Sequence, residues 1–234
     1  MTPSPNALAP QQARSRESLK KLLRAAQEVL GQKGLERATI PLIAQHAGLT
    51  PGAVYRRFRD KDALLEAVIL SLLKRQDQGM RVALTPDMAR QIPLPVFAEQ
   101  LIHSMLVSYR RNAGVIRAMR QFLQARLHTP FCRTAARLEV NSYHYLVELF
   151  LEHRDEIPHP EPKIAVSFAI MMLISTLMEL VVAEGDLKLW KTLLPQDDAA
   201  LKAQLLRAFL GYLGVPQRSV GNQRPPKRSG KSKS

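Results

Sequence analysis

Apolar residues recur at every third or fourth position along most of this chain, a period that reads as helix. Leu19, Leu22, Leu23, Ala26, Val29 and Leu30 form the first such stripe and predict a helix near 13–33, closed by Gly34 as a C-cap. Thr39 is placed to N-cap a short second helix near 39–47, with Ile40, Ile43 and Ala44 as its apolar side. Pro41 falls in the first turn of that helix, where no backbone donor is lost. Gly48 then interrupts, and the pair Thr50–Pro51 opens a third short helix near 51–57 carrying Val54 and Tyr55. Asp60 caps a fourth helix with Lys61 in its first turn, and Leu64, Leu65, Val68, Leu72 and Leu73 carry its apolar stripe to about Lys74 or beyond.

The second and third helices are spaced as a helix-turn-helix, whose second helix can enter a DNA major groove. Ala44 is small where the two helices must cross closely. Gly48, four residues on, can take the left-handed conformation that turns the chain sharply, and Val54 is placed to pack back on the first helix of the pair. An ordinary helical hairpin is the competing reading of this segment alone.

From about 79 to 215 the pattern remains helical. After a Pro-containing link over Thr85–Pro95, helices are predicted near 96–111, 112–127, 131–155, 161–184 and 197–213. No alternating run bounded by turn residues marks a strand, and no fixed-period repeat is visible. The segment Ile164–Ala183 is apolar enough to resemble a membrane span, but Glu179 and the hydroxyls of Ser167, Ser175 and Thr176 interrupt it. Burial inside a bundle accounts for it without a membrane, and no membrane is expected. The last helix offers a matching stripe in Leu201, Leu205, Ala208, Phe209 and Tyr212. These two helices, near 164–184 and 197–213, are expected to pair with their copies as a four-helix bundle in a homodimer.

Composition changes this picture in two respects. The single cysteine, Cys132, excludes an intrachain disulfide framework and fits a reducing, cytoplasmic compartment. The net charge of +14 is uneven: residues 1–75 hold 13 Lys/Arg against 6 Asp/Glu, residues 76–215 hold 15 against 14, and residues 216–234 hold 6 against none. The excess therefore lies at the two ends, one of which contains the helix-turn-helix. A basic flank there suits a polyanion, because neutralising phosphates releases counterions. The ends themselves, residues 1–12 and 216–234, read as disordered tails, the second of them basic.

Thr39, Ile43, Ala44, Gly48, Leu49, Thr50, Gly52, Val54, Tyr55, Phe58, Lys61 and Leu64 stand in register with one motif, T-x3-[IV]-A-x3-G-[LV]-[ST]-x-G-x-[LVI]-Y-x-x-F-x-x-K-x2-L. With the helix before it, this run over about 14–68 resembles the TetR family of bacterial transcriptional regulators. Two departures are Pro41, where the family usually has a polar residue, and the pair Arg56–Arg57, whose first position is often aromatic or His. The resemblance implies an all-α chain: a three-helix DNA-binding domain at 13–60, a connecting helix at 61–78, and a helical-bundle domain for ligand binding and dimerisation at 79–215. It implies a double-stranded DNA operator as partner and a small-molecule effector. Thr50, Pro51, Gly52 and Ala53 would open the recognition helix, small enough to sit deep in the groove. Tyr55 and Arg56 are similar to the family's groove-floor and phosphate-contacting residues, and Arg56 also suits bidentate binding of guanine. Thr39 and Lys61, at the starts of two neighbouring helices, are placed to hold phosphates. Phe58 is expected in the core, while Arg57 and Arg59 fit a solvated face.

No cofactor, metal or catalytic centre is expected. Cys132 has no histidine at a telling spacing, and His144, Glu148 and Glu152 share a helical face turned away from the apolar stripe of Leu138, Tyr145 and Leu149. Phosphate-cradling glycine loops and nucleophile elbows are absent. Met105, Tyr109, Phe122, Tyr143 and Met171 are pocket candidates whose first reading is plain core. Three alternatives stay open: a membrane-associated protein using 164–183, a helical enzyme with an unrecognised site, and an architectural DNA binder without sequence preference.

Overall fold

The computed structural model describes residues 10–182, 192–193, 195 and 197–216. Nine α-helices run in the order α1 (Pro10–Arg37), α2 (Ile40–His46), α3 (Pro51–Tyr55), α4 (Lys61–Ala83), α5 (Pro86–Gln91), α6 (Leu94–Gln124), α7 (Pro130–Leu151), α8 (Pro162–Leu177) and α9 (Asp198–Tyr212) among the described residues, which contain no strand. A 3-10 turn at Arg154–Glu156 follows α7, and a π-helical turn at Met178–Val182 continues α8. The tails expected at 1–12 and 216–234, and the end of the helix expected to reach 184, lie largely outside the described residues. Pro10–Gln12, placed by sequence in the first tail, belong to α1.

Most starts are set by short side chains folding back on the free amides of the first turn. The hydroxyls of Thr50, Thr85 and Thr129 accept from Ala53, Met88 and Cys132 at 3.2, 3.2 and 3.1 Å, and each is followed by a proline that needs no donor there. Asp60 and Asp197 cap α4 and α9 in the same way, at 2.7 and 2.8 Å. The Thr85 cap explains why the expected link at 85–95 contains a helical turn and a half rather than open chain.

The two helices expected at 96–111 and 112–127 are one helix, α6. Its middle reads as a break because of Asn112 and Gly114. In the structure Asn112 bonds back to the Ser108 carbonyl at 2.8 Å, and Gly114 is where α1 crosses. A Cβ on Gly114 would run into the carbonyl oxygen of Gly31, and one on Gly31 would lie 2.9 Å from the Val115 side chain. Glycine serves here for close approach, not for turning.

Two apolar cores result. The first gathers Leu22, Ala26, Val29, Ile43, Ala44, Val54, Leu64 and Val68 from α1–α4, together with Val115–Phe122 of α6 and Phe131 and Ala135 of α7. The second gathers Phe97, Leu101, Ile102, Val147, Phe150, Ala165, Ile170, Leu173, Leu205 and Phe209. α6 and α7 therefore run through both cores. α4 also reaches both, and its C-terminal end is tied to α7: Ser142 bonds Asp77 at 2.9 Å, Tyr145 donates to the Leu84 carbonyl at 2.6 Å, and Arg81 lies 4.3 Å over the Tyr145 ring.

α8 is apolar on every side. Ala165, Val166, Ala169, Ile170, Leu173 and Leu177 fill the second core, while Ile164, Phe168 and Met171 face outward, each more than half exposed. Length and composition alone would let Pro162–Leu180 cross a membrane, but one face of this helix is spent on packing.

Candidate nucleic-acid interface

The site is built from α2, the turn after it, and α3. Ile43, Ala44 and Val54 are completely buried, so the crossing of the two helices is closed and fixed. The turn is a Schellman motif: the amide of Leu49 bonds the Ala44 carbonyl at 2.8 Å and that of Gly48 bonds the Gln45 carbonyl at 3.1 Å. Gly48 takes φ +66° with open space around its Cα, so its glycine answers to backbone conformation and not to crowding. Gly34, where the sequence placed a C-cap, takes φ +76° inside the span of α1 and kinks it there.

With Val54 inward, the other side of α3 is outward. Thr50, Pro51, Gly52, Tyr55 and Arg56 are exposed and Ala53 is half-exposed. Tyr55 is 54% exposed although it is a large aromatic, whereas Phe58 packs on the core beneath it. Thr39 is exposed at the start of α2 while its hydroxyl receives the Leu42 amide at 3.4 Å. Thr39, Thr50, Pro51, Gly52, Tyr55 and Arg56 are thus each accessible to solvent.

Lys61 is placed differently. Its ammonium donates to the carbonyls of Leu35 and Glu36, at 2.7 and 3.4 Å, and so ties the start of α4 to the last turn of α1, beyond the kink at Gly34. Arg57 donates to the Ser15 hydroxyl at 3.4 Å, which links the recognition helix to the N-terminal part of α1. Arg14 and Lys21 of α1 line a shallow depression of about 360 Å³ whose other wall is Ala47, Gly48 and Leu49. Arg16, Lys20 and Arg24 are exposed further along. Sequence treated these cations as the polar side of α1; it held no signal that two of them stand beside the turn.

Three comparisons bear on this geometry. The family model for bacterial regulatory proteins of the tetR family matches residues 22–68, the span that holds most of α1, all of α2 and α3, and the start of α4. Residues 22–68 thus carry the N-terminal domain of the TetR family. Among TetR-family relatives, the HTH-type transcriptional regulator BetI of Cronobacter sakazakii is 24% identical over 147 residues, covering 62% of this chain and 70% of BetI. The HTH-type transcriptional regulator TtgW of Pseudomonas putida, itself uncharacterised, is 36% identical over 76 residues, 32% of this chain and 54% of its own. Among solved structures, FadR from Bacillus subtilis in complex with stearoyl-CoA has a TM-score of 0.60 at 15% identity, over 82% of this chain and 98% of FadR. A TetR-family regulator from Marinobacter aquaeolei has a TM-score of 0.56 at 17% identity, over 87% and 97%. These likenesses carry the TetR fold across both cores, and the chain is an all-α, DNA-binding transcription regulator.

Elsewhere the sequence candidates separate. Tyr109, Tyr143 and Met105 are half-buried against the second core. Phe122 lies in the first core against Phe131, with ring centroids 5.8 Å apart, and Met171 points outward, so neither joins them. His144, Glu148 and Glu152 are exposed; Glu148 pairs with Lys163 and Glu152 with Arg90. The Cys132 thiol sits 3.0 Å from the Arg126 carbonyl, half-buried at the start of α7.

Proposed function

We propose that this chain is a homodimeric, ligand-responsive repressor that sets two α3 helices into successive major grooves of a palindromic operator. The observation that carries this reading is the recognition helix itself: capped by Thr50, locked from below by Val54, and exposing small residues, Tyr55 and Arg56 on one side. Thr50, Pro51, Gly52, Ala53, Tyr55 and Arg56 read the groove, with Arg56 supplying a bidentate contact to guanine or phosphate. Thr39 and Lys61, with Arg14 and Lys21 beside them, meet the backbone, and Lys61 reaches it by releasing the α1 carbonyls. The two half-sites then lie about one helical turn apart.

The exposed stripe of Ile164, Phe168 and Met171, extended by Tyr212 of α9 whose ring lies 5.3 Å from Phe168, supports pairing of copies through α8 and α9. A small molecule in the C-terminal bundle shifts α4 and α6 and moves the recognition helices off the operator spacing, as the fold shared with a FadR solved in complex with stearoyl-CoA supports. Such an effector must bind the released state better than the DNA-competent one. The protein acts in the cytoplasm, where its lone thiol stays reduced.

Selection of bound sequences from random duplex DNA tests this reading. The expected result is a palindrome, with Arg56→Ala costing about 1–3 kcal/mol at one position of each half-site. A protein that prefers no duplex over bulk competitor refutes it.

A further inference from the structure

Residues 76–215 are nearly neutral as a whole, but their charges are sorted by position. Residues 110–138 hold seven arginines and no Asp or Glu, while the remainder of 76–215 holds 8 Lys/Arg against 14 Asp/Glu. The basic stretch is the C-terminal half of α6, the turn after it and the start of α7. It is also the part of the bundle that closes the core of the recognition unit, through Val115, Phe122, Phe131 and Ala135. The positive end of the bundle is therefore the end set against α1–α4.

Part of this charge is consumed within the protein. Arg110 pairs with Asp198, Arg120 with Glu179 and Arg126 with Asp62. Arg126 also donates to the Phe122 carbonyl at 3.2 Å and lies 3.7 Å over the Phe122 ring. Asp62 follows Lys61 in the first turn of α4, so its bond to Arg126 fixes the α6–α7 turn beside the start of that helix. Arg133 and Arg137 differ. Both are exposed, and among the described residues neither has a carboxylate partner. Arg133 donates to the His128 carbonyl at 2.8 Å, which holds its guanidinium against the turn. The two stand four residues apart on α7, on the side away from the buried Phe131 and Ala135, and so form one solvent-facing strip.

Two arginines on an open helix face are ordinarily no more than a hydrated surface. Here no acid within the stretch offsets them, and their surface continues that of the unit that binds DNA. A guanidinium fork matches a phosphate, and a recognition helix in one groove leaves flanking phosphates on either side of it.

We propose that Arg133 and Arg137, on the shoulder made by the α6–α7 turn, contact backbone phosphates flanking the half-site, so that the DNA-binding surface runs from the helix-turn-helix onto the bundle. These contacts carry no base preference. The proposal rests on the DNA-binding function and is independent of operator symmetry and of any effector.

The test is the salt dependence of binding to a random-sequence duplex, followed by anisotropy from about 50 to 200 mM salt. Arg133→Ala/Arg137→Ala is expected to lower the slope of log affinity against log salt by about 1–2, with about a tenfold loss of affinity that is the same for every duplex. Arg133→Lys/Arg137→Lys should keep the slope, because a phosphate contact needs the charge. Arg154→Ala removes a cation past the far end of α7 and should leave the slope unchanged, which separates a local contact from a change in net charge. A slope unchanged in the alanine pair, lost in the lysine pair, or lowered as much by Arg154→Ala overturns the proposal. Hydroxyl-radical footprinting of the unaltered protein decides the question even where a variant fails to fold: protection is expected past the groove read by α3, and protection confined to it overturns the proposal. Selection from random DNA keeps the two readings apart. No palindrome with a lowered slope sinks the operator reading alone, and a palindrome with an unchanged slope sinks the shoulder alone.

Discussion

The recognition unit and the C-terminal bundle are made of similar helices with opposite polarity. In the first, Ile40, Ile43, Ala44 and Val54 are inside, and the large apolar side chain left outside is Tyr55. In the second, Ile164, Phe168 and Met171 are outside. The recognition unit, with α6 and α7 closing its core, has its apolar groups buried, and its surface is free to address a polyanion. A unit that leaves apolar surface in water is complete only with something added. A second copy is the addition proposed above.

The same kind of substitution should therefore act differently in the two regions. Ile43→Ala removes a fully buried side chain from the closed crossing and is expected to cost roughly 2–5 kcal/mol in urea unfolding, with loss of DNA binding. Phe168→Ala, on the outward face of α8, should leave the unfolding of a protomer within about 0.5 kcal/mol while sedimentation shows the dimer weakened. Equal losses of folding stability in both would erase the contrast.

Gly114→Ala addresses the join between the regions. A methyl there meets the Gly31 backbone, so α1 and α6 must separate, at about 1–3 kcal/mol. Retained wild-type stability in a denaturant titration would show that α1 and α6 cross less tightly. Thr50→Ala deletes only the cap of α3 and is expected to cost about 1 kcal/mol. That helix has five residues, so its DNA affinity should fall further than the fold does. The smallest effect belongs to Asp77, whose carboxyl is held below its usual value by the Arg81 hydrogen bond against the opposing effect of burial, with Ser142 helping. A lowered acid stabilises the fold above its unfolded value and loses that contribution as pH falls through the folded one. The stability gap between wild type and Asp77→Asn should thus be constant near neutrality and close below about pH 4. A gap that widens in acid contradicts this.

Much of the recognition unit was legible beforehand because its determinants are local. A threonine before a proline, a glycine at the one positive φ of the turn, and an alanine at the crossing each act within a few residues. The bundle was legible only as helices. Asn112 and Gly114 look like a break when read along the chain, and are a helix crossing when α1 is present. Phe122 and Met171 have the composition of pocket residues, yet one fills the recognition unit's core and the other faces solvent. Lys61 reads as a phosphate contact, and in the fold it also holds the carbonyl end of α1.

What the chain determined by itself is the helical period, the caps, the turn at Gly48 and the basic flanks, since each depends on neighbours within about one or two turns. Which faces of α6 and α7 serve which core, and how closely α1 lies on α6, depend on residues dozens of positions apart. Those contacts exist only after packing has selected one mutual arrangement of the helices, and periodicity, which is the same for every apolar face, does not name its partner.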